Sequence, residues 1–121
     1  MDIRELIEMQ KKFDTMHGWV PDKNEFTSVL NTINKDIIGI VGELGEFSNI
    51  IKKINLLSDS NNTEAANLKF ENERENLAEE IIDVFIYLMR IMDCLNIDVE
   101  SEYIEKLQFN RDKFKGFKND E

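Results

Sequence analysis

Four carboxylates stand out by type and spacing. Glu43 and Glu46 lie in Gly39-Ile40-Val41-Gly42-Glu43-Leu44-Gly45-Glu46-Phe47, and Glu80 and Asp83 lie in Ala78-Glu79-Glu80-Ile81-Ile82-Asp83-Val84. The members of each pair are three positions apart, so on a helix both point the same way. With about 100° of rotation per residue, Ile50 and Ile54 fall within about 20° of Glu43, Phe47 about 40° away and Glu46 about 60° away. Tyr87 and Ile91 bracket Glu80 in the same manner. Glu43 and Glu80 therefore sit inside apolar arcs, where an unpaired carboxylate is costly and calls for compensating positive charge. Carboxylate oxygens are hard ligands that take Mg²⁺ together with waters and substrate phosphates, with Mn²⁺ as a substitute. Two antiparallel helices would bring the pairs together as one metal site. Such spacings are common on acidic surfaces, and it is their placement within apolar stripes that argues for metal. A di-iron carboxylate bundle wants Glu-x-x-His on two helices. The single histidine, His17, lies at a helix end, which argues against iron.

The elements that must carry these acids read as helices. The chain has 121 residues, 41% of them apolar and 33% charged, with one proline and five glycines. No alternating strand pattern of useful length is present, so the expectation is one all-α domain over 1–121, with 116–121 as a frayed tail. Asp2 caps a first helix that runs to Met16 with Ile3, Leu6, Ile7, Phe13 and Met16 as its apolar face, and Gly18 and Pro21 end it. A second helix runs from Asn24 to Leu57, with a break possible near Asn31 to Lys35. Ser58-Asp59-Ser60-Asn61-Asn62-Thr63 reads as a loop. A third helix runs from Glu64 or Ala66 to Leu95, and a fourth from Val99 to Lys115. Gly39, Gly42 and Gly45 each cost helix stability of about 1 kcal/mol against alanine, which suggests close approach of another helix or a ligand. Val84, Phe85, Ile86, Leu88, Met89, Ile91 and Met92 face nearly every direction around the third helix, and a helix apolar all round is buried all round. That predicts a homo-oligomer.

Composition excludes other classes. A net charge of −10 argues against a nucleic-acid backbone as partner. No apolar run approaches a membrane span and no secretory signal opens the chain, so the expected location is cytoplasmic, without membrane association. The one cysteine, Cys94, reads as a buried reduced thiol, and with no serine–histidine constellation present a covalent nucleophile is not expected.

Glu43-x-x-Glu46 and Glu80-x-x-Asp83, followed by Lys106-Leu-Gln-Phe-Asn110-Arg111, resemble the all-α nucleoside triphosphate pyrophosphohydrolases of the MazG type, and most closely their dCTP-pyrophosphatase-like branch. The resemblance extends from Met9-Gln-Lys-Lys-Phe13 and Trp19 through GELGEF and EEIIDVFIYL to KLQFNRDKF. It implies a four-to-five-helix bundle assembling as a homodimer or a dimer of dimers. It also implies Mg²⁺ on the four acids, triphosphate contacts from Lys106, Asn110 and Arg111, and a base pocket that includes Trp19 and Tyr87. Lys52 and Lys53 are weaker phosphate candidates, and Glu79 points away from Glu80. Here the gap between Glu46 and Glu80 is long for the family and is expected to form an enlarged polar loop.

The implied reaction is metal-assisted hydrolysis of the α–β phosphoanhydride of a nucleoside triphosphate, giving monophosphate and pyrophosphate, with a glutamate as base and nucleotide-pool house-cleaning as the role. The resemblance points to a pyrimidine deoxynucleotide, dCTP-like or dUTP-like. A phosphoribosyl-ATP pyrophosphohydrolase shares the metal logic with another substrate. A catalytically silent helical oligomerisation module is the alternative outside enzymes.

Overall fold

A computed structural model describes residues 1–117; the expected frayed tail lies, from 118 on, outside the described residues. Four α-helices, α1 (Ile3–Met16), α2 (Phe26–Asp59), α3 (Thr63–Cys94) and α4 (Val99–Lys113), are followed by one 3₁₀ turn, Lys115–Phe117. No strand occurs among the described residues, and no helix there is long and apolar enough to cross a membrane.

Local chemistry sets the helix ends. The Asp2 carboxylate accepts the Glu5 amide at 2.9 Å and caps α1. At the other end His17 Nδ1 donates to the Phe13 carbonyl at 2.7 Å, and Gly18 takes φ +71°, a left-handed turn that suits glycine. Asp98 caps α4 in the same way, accepting from the Ser101 amide at 3.3 Å.

α2 and α3 pack along one another as a long antiparallel hairpin. α2 has 34 residues, about 50 Å at 1.5 Å per residue, and passes unbroken through 31–35. Packing against a partner helix stabilises turns that would be marginal alone. The expected loop of 58–63 shrinks to Ser60–Asn62: Ser58 and Asp59 complete α2, and Thr63 begins α3. The turn closes because Asn61 takes φ 59°, a conformation asparagine tolerates, and the Ser60 hydroxyl donates to the Leu56 carbonyl at 2.8 Å. The extra residues between the acid pairs therefore lengthen the hairpin and do not enlarge a loop.

α1 lies on the C-terminal part of α3. Its apolar face is the expected one only in part: Ile3 and Ile7 are half-buried, but Leu6, Phe13 and Met16 are exposed, while Gln10 is half-buried and Asp14 is buried. The rotation follows from Asp14, which is tied to Arg90 of α3 at 2.9 and 2.8 Å. α4 packs chiefly on α1 and the 3₁₀ turn, and carries no buried residue. The buried apolar core is thin, consisting of Ala66, Leu77, Val84, Met89 and Cys94.

The chain exposes 9547 Å², whereas a folded monomer of 14.2 kDa exposes about 6,800 Å². Many large apolar side chains are exposed. Leu30, Ile37, Ile38, Val41 and Leu44 form an exposed ridge along α2, and Ile81, Ile82 and Leu88 are exposed on α3.

Of the three glycines in α2, one is required by a neighbour. A Cβ on Gly39 would lie 2.6 Å from Tyr87 Cε1 and 2.8 Å from Cε2, whereas Gly42 and Gly45 have nothing within 4 Å. Gly39→Ala would gain up to about 1 kcal/mol in helix propensity, but forcing the Tyr87 ring aside costs roughly 1–3 kcal/mol. The expected outcome is a lower urea midpoint for Gly39→Ala than for the wild type.

Candidate metal centre

The hairpin brings three of the four acids together. Glu43 and Glu46 project from one turn of α2 and Glu80 from the facing turn of α3, and each offers an oxygen within 4.8 Å of the others. Ligands at about 2.1 Å around one octahedral cation stand about 3–4 Å apart, so the three side chains would draw together to hold one. Glu43 and Glu80 are half-buried and Glu46 is exposed, so the cluster opens on one side. Asp83, one turn along α3, is half-buried and is not part of the cluster.

Among the described residues no basic side chain pairs with these acids. Glu80 is pushed up from 4.5 to about 7, first by a proton shared with Glu43, then by burial, then by Glu46. With all three groups ionised, none can donate to another, and Oε2 of Glu80 is buried without a partner among the described residues. A proton or a cation fills that need. Hard oxygen donors, no nitrogen or sulfur in the set, and one orphaned buried oxygen fit Mg²⁺ or Mn²⁺.

The sign of the pH dependence follows. Between pH 4.5 and about 7 the folded chain holds a proton on Glu80 that the unfolded chain has released. This contribution to stability is complete below pH 4.5 and is lost as pH rises through about 7. A cation must displace the same proton, so apparent affinity should rise by up to about tenfold per pH unit below neutrality and level off above it. Calorimetric titration with Mn²⁺ from about pH 5.5 to about pH 8 checks this; a flat profile would contradict it.

Two helical turns from Glu80, about 10 Å along α3, lies a second feature. A cleft of about 480 Å³ is framed by Trp19 and Pro21 of the α1–α2 connection, Asn31 and Asp36 of α2, and Tyr87 and Arg90 of α3. The Arg90 guanidinium lies 5.6 Å from the ring centres of both Trp19 and Tyr87. Trp19 stacks on His17 at 4.7 Å, and His17 lies tilted against Phe13 at 4.4 Å. Thus the two aromatic residues expected near a base do share one cleft.

Lys106, Asn110 and Arg111 are elsewhere. They ride on α4, where Lys106 lies over the ring of Phe109 at 4.8 Å. Lys52, Lys53 and Glu79 are exposed, and Cys94 is a buried free thiol whose pKa burial pushes up.

The ion network of Asp14, Asp36 and Arg90 was not anticipated. Asp14 and Asp36 are buried, at 4% and 5% exposure. One signal for Asp36 was available: it lies seven residues before Glu43, on the same stripe as Ile40 and Phe47. For Asp14, no local pattern names a partner 76 residues away.

Comparison with protein-family models, curated proteins and solved structures finds no match.

Proposed function

We propose that the protein is a divalent-cation-dependent nucleoside triphosphate pyrophosphohydrolase of the MazG type. The observation that carries this reading is the convergence of Glu43, Glu46 and Glu80 around an orphaned buried oxygen. A purely structural hairpin gains nothing from three facing acids, since their mutual repulsion opposes folding.

The three carboxylates would hold the cation, which supplies neutralisation of phosphate charge and acidification of water when bound. Glu46, the exposed member, would accept a proton from an attacking water. The Trp19–Tyr87 cleft lies a nucleotide's reach away and would hold the base by stacking. Cys94, the lone thiol, is buried and supplies no nucleophile, which favours direct attack by water.

The working form in this proposal is a homo-oligomer. The chain's surplus of exposed surface, roughly 2,800 Å², is of the size that large permanent interfaces cover. Because α4 packs chiefly on α1 and the 3₁₀ turn, Lys106, Asn110 and Arg111 would reach bound phosphate most directly from a second copy. Sedimentation at micromolar concentration should show a dimer or tetramer; a folded monomer would overturn this part.

Incubation with Mg²⁺ and each of dCTP, dUTP, dTTP, dATP and dGTP, with products resolved by anion exchange, tests the reaction. Monophosphate with pyrophosphate is the expected result. Diphosphate with orthophosphate, or no turnover of any of the five, would overturn the proposal.

A further inference from the structure

We infer that Asp36 is a specificity-determining residue, and that the Trp19–Tyr87 cleft selects an aromatic base bearing an exocyclic amino group, whose N–H is accepted by Asp36 Oδ2. The identification of the ring as a nucleobase rests on the function proposed above; the demand for an N–H donor does not.

The demand comes from an imbalance in the buried network. Arg90 presents its forked edge to Asp14, with Nε and Nη2 donating at 2.9 and 2.8 Å. Its remaining nitrogen, Nη1, stands 3.9 Å from Asp36 Oδ1, too far for a hydrogen bond. One guanidinium therefore serves two carboxylates and satisfies one. Asp36 Oδ2 has no partner among the described residues, although the residue is 5% exposed and lines the cleft. A buried acceptor without a donor is costly, and a ligand that supplies the donor recovers that cost. Burial raises the Asp36 pKa, opposed by Arg90 and reinforced by Asp14, in keeping with a carboxylate short of donors.

The surroundings narrow the donor to one carried on a flat ring. Trp19 and Tyr87 are both in the cleft, with Arg90 close to each ring. Trp19 stands on the connection after Gly18 and is 54% exposed, so it is the wall that can yield to admit a ring toward Asp36. Cytosine, adenine and guanine can each direct an amino N–H at Oδ2. Uracil and thymine have one edge N–H flanked by two carbonyl oxygens, which a carboxylate repels. A site built around such a hydrogen bond rejects analogues that lack the donor far more strongly than an apolar pocket does.

The test uses dCMP and dUMP, which differ at this edge, in metal-free buffer, with binding followed by calorimetry. dCMP should bind at least about tenfold more tightly than dUMP, as expected for one hydrogen bond to a charged acceptor. Asp36→Asn, nearly isosteric and carrying both donor and acceptor, should reduce that ratio to near one. Trp19→Ala, at an exposed site, should weaken both ligands alike and leave the ratio standing. Equal wild-type affinity for the two, absence of binding by either, or a preference that survives Asp36→Asn would overturn the inference. The two proposals fail separately: dCMP preference without triphosphate hydrolysis would remove the enzyme alone, and hydrolysis without amino preference would remove the role of Asp36 alone.

Discussion

Replacing Glu80 by glutamine should lower pyrophosphate release at least about a hundredfold, while raising the melting temperature of the metal-free protein. The first effect is bounded from below by what removal of a residue merely supporting a metal ligand costs, about 10–100-fold. The second follows because Glu80 is the acid pushed up to about 7 by its neighbours: an amide can donate to Glu43 without the charge conflict that the carboxylate brings. Opposite signs for activity and apo stability are hard to obtain from a residue that serves only packing. Asp83→Asn, outside the cluster, should lose less activity than Glu80→Gln. Pyrophosphate release and thermal melts in EDTA measure both effects. Glu80→Gln with wild-type turnover, or with a clearly lower apo melting temperature, would contradict the assignment.

Arg90→Met should be the most destabilising single substitution in the chain, at about 3–5 kcal/mol, the cost of leaving a buried charge without its partner. The reason is specific to this network: the substitution strands both Asp14 and Asp36, each at most 5% exposed, and leaves Lys11–Asp93 as the remaining ion pair between α1 and α3 among the described residues. Trp19, which lies against Arg90, should then show red-shifted emission before the α2–α3 hairpin unfolds. Replacing all three charges together by Asp14→Leu, Asp36→Leu and Arg90→Met should recover much of the loss, since a buried ion network and an apolar substitute of similar volume are often near parity. Urea denaturation followed by circular dichroism and by tryptophan fluorescence separates the two events. A single variant with wild-type stability would show that the network contributes little.

What could be read from the sequence follows the range of the forces involved. The ends of α1 were legible because a capping carboxylate and a left-handed glycine act within a few residues. Glu43 and Glu80 were legible because helical geometry alone puts them inside apolar stripes, and Glu46 because it lies one turn from Glu43. The 58–63 segment was not, because Ser58, Asp59 and Thr63 favour turns by themselves and become helical only when the hairpin packs around them. The burial of Asp14 in place of Phe13 and Met16 was also out of reach, since it depends on a pairing across the fold that no local periodicity records. The location of Lys106, Asn110 and Arg111 depends on how α4 leaves Asp98, again a tertiary matter.

The surplus of exposed surface also bears on dosage. If a second copy covers the ridge of Leu30, Ile37, Ile38, Val41 and Leu44, folding and association become one equilibrium, and stability follows protomer concentration by mass action. Specific activity would then fall on dilution, and output would climb more steeply than the number of chains made. Below the dissociation constant, chains with that ridge uncovered would be the form that proteases meet. A cell could silence such a protein by modestly reducing its synthesis, with no inhibitor involved.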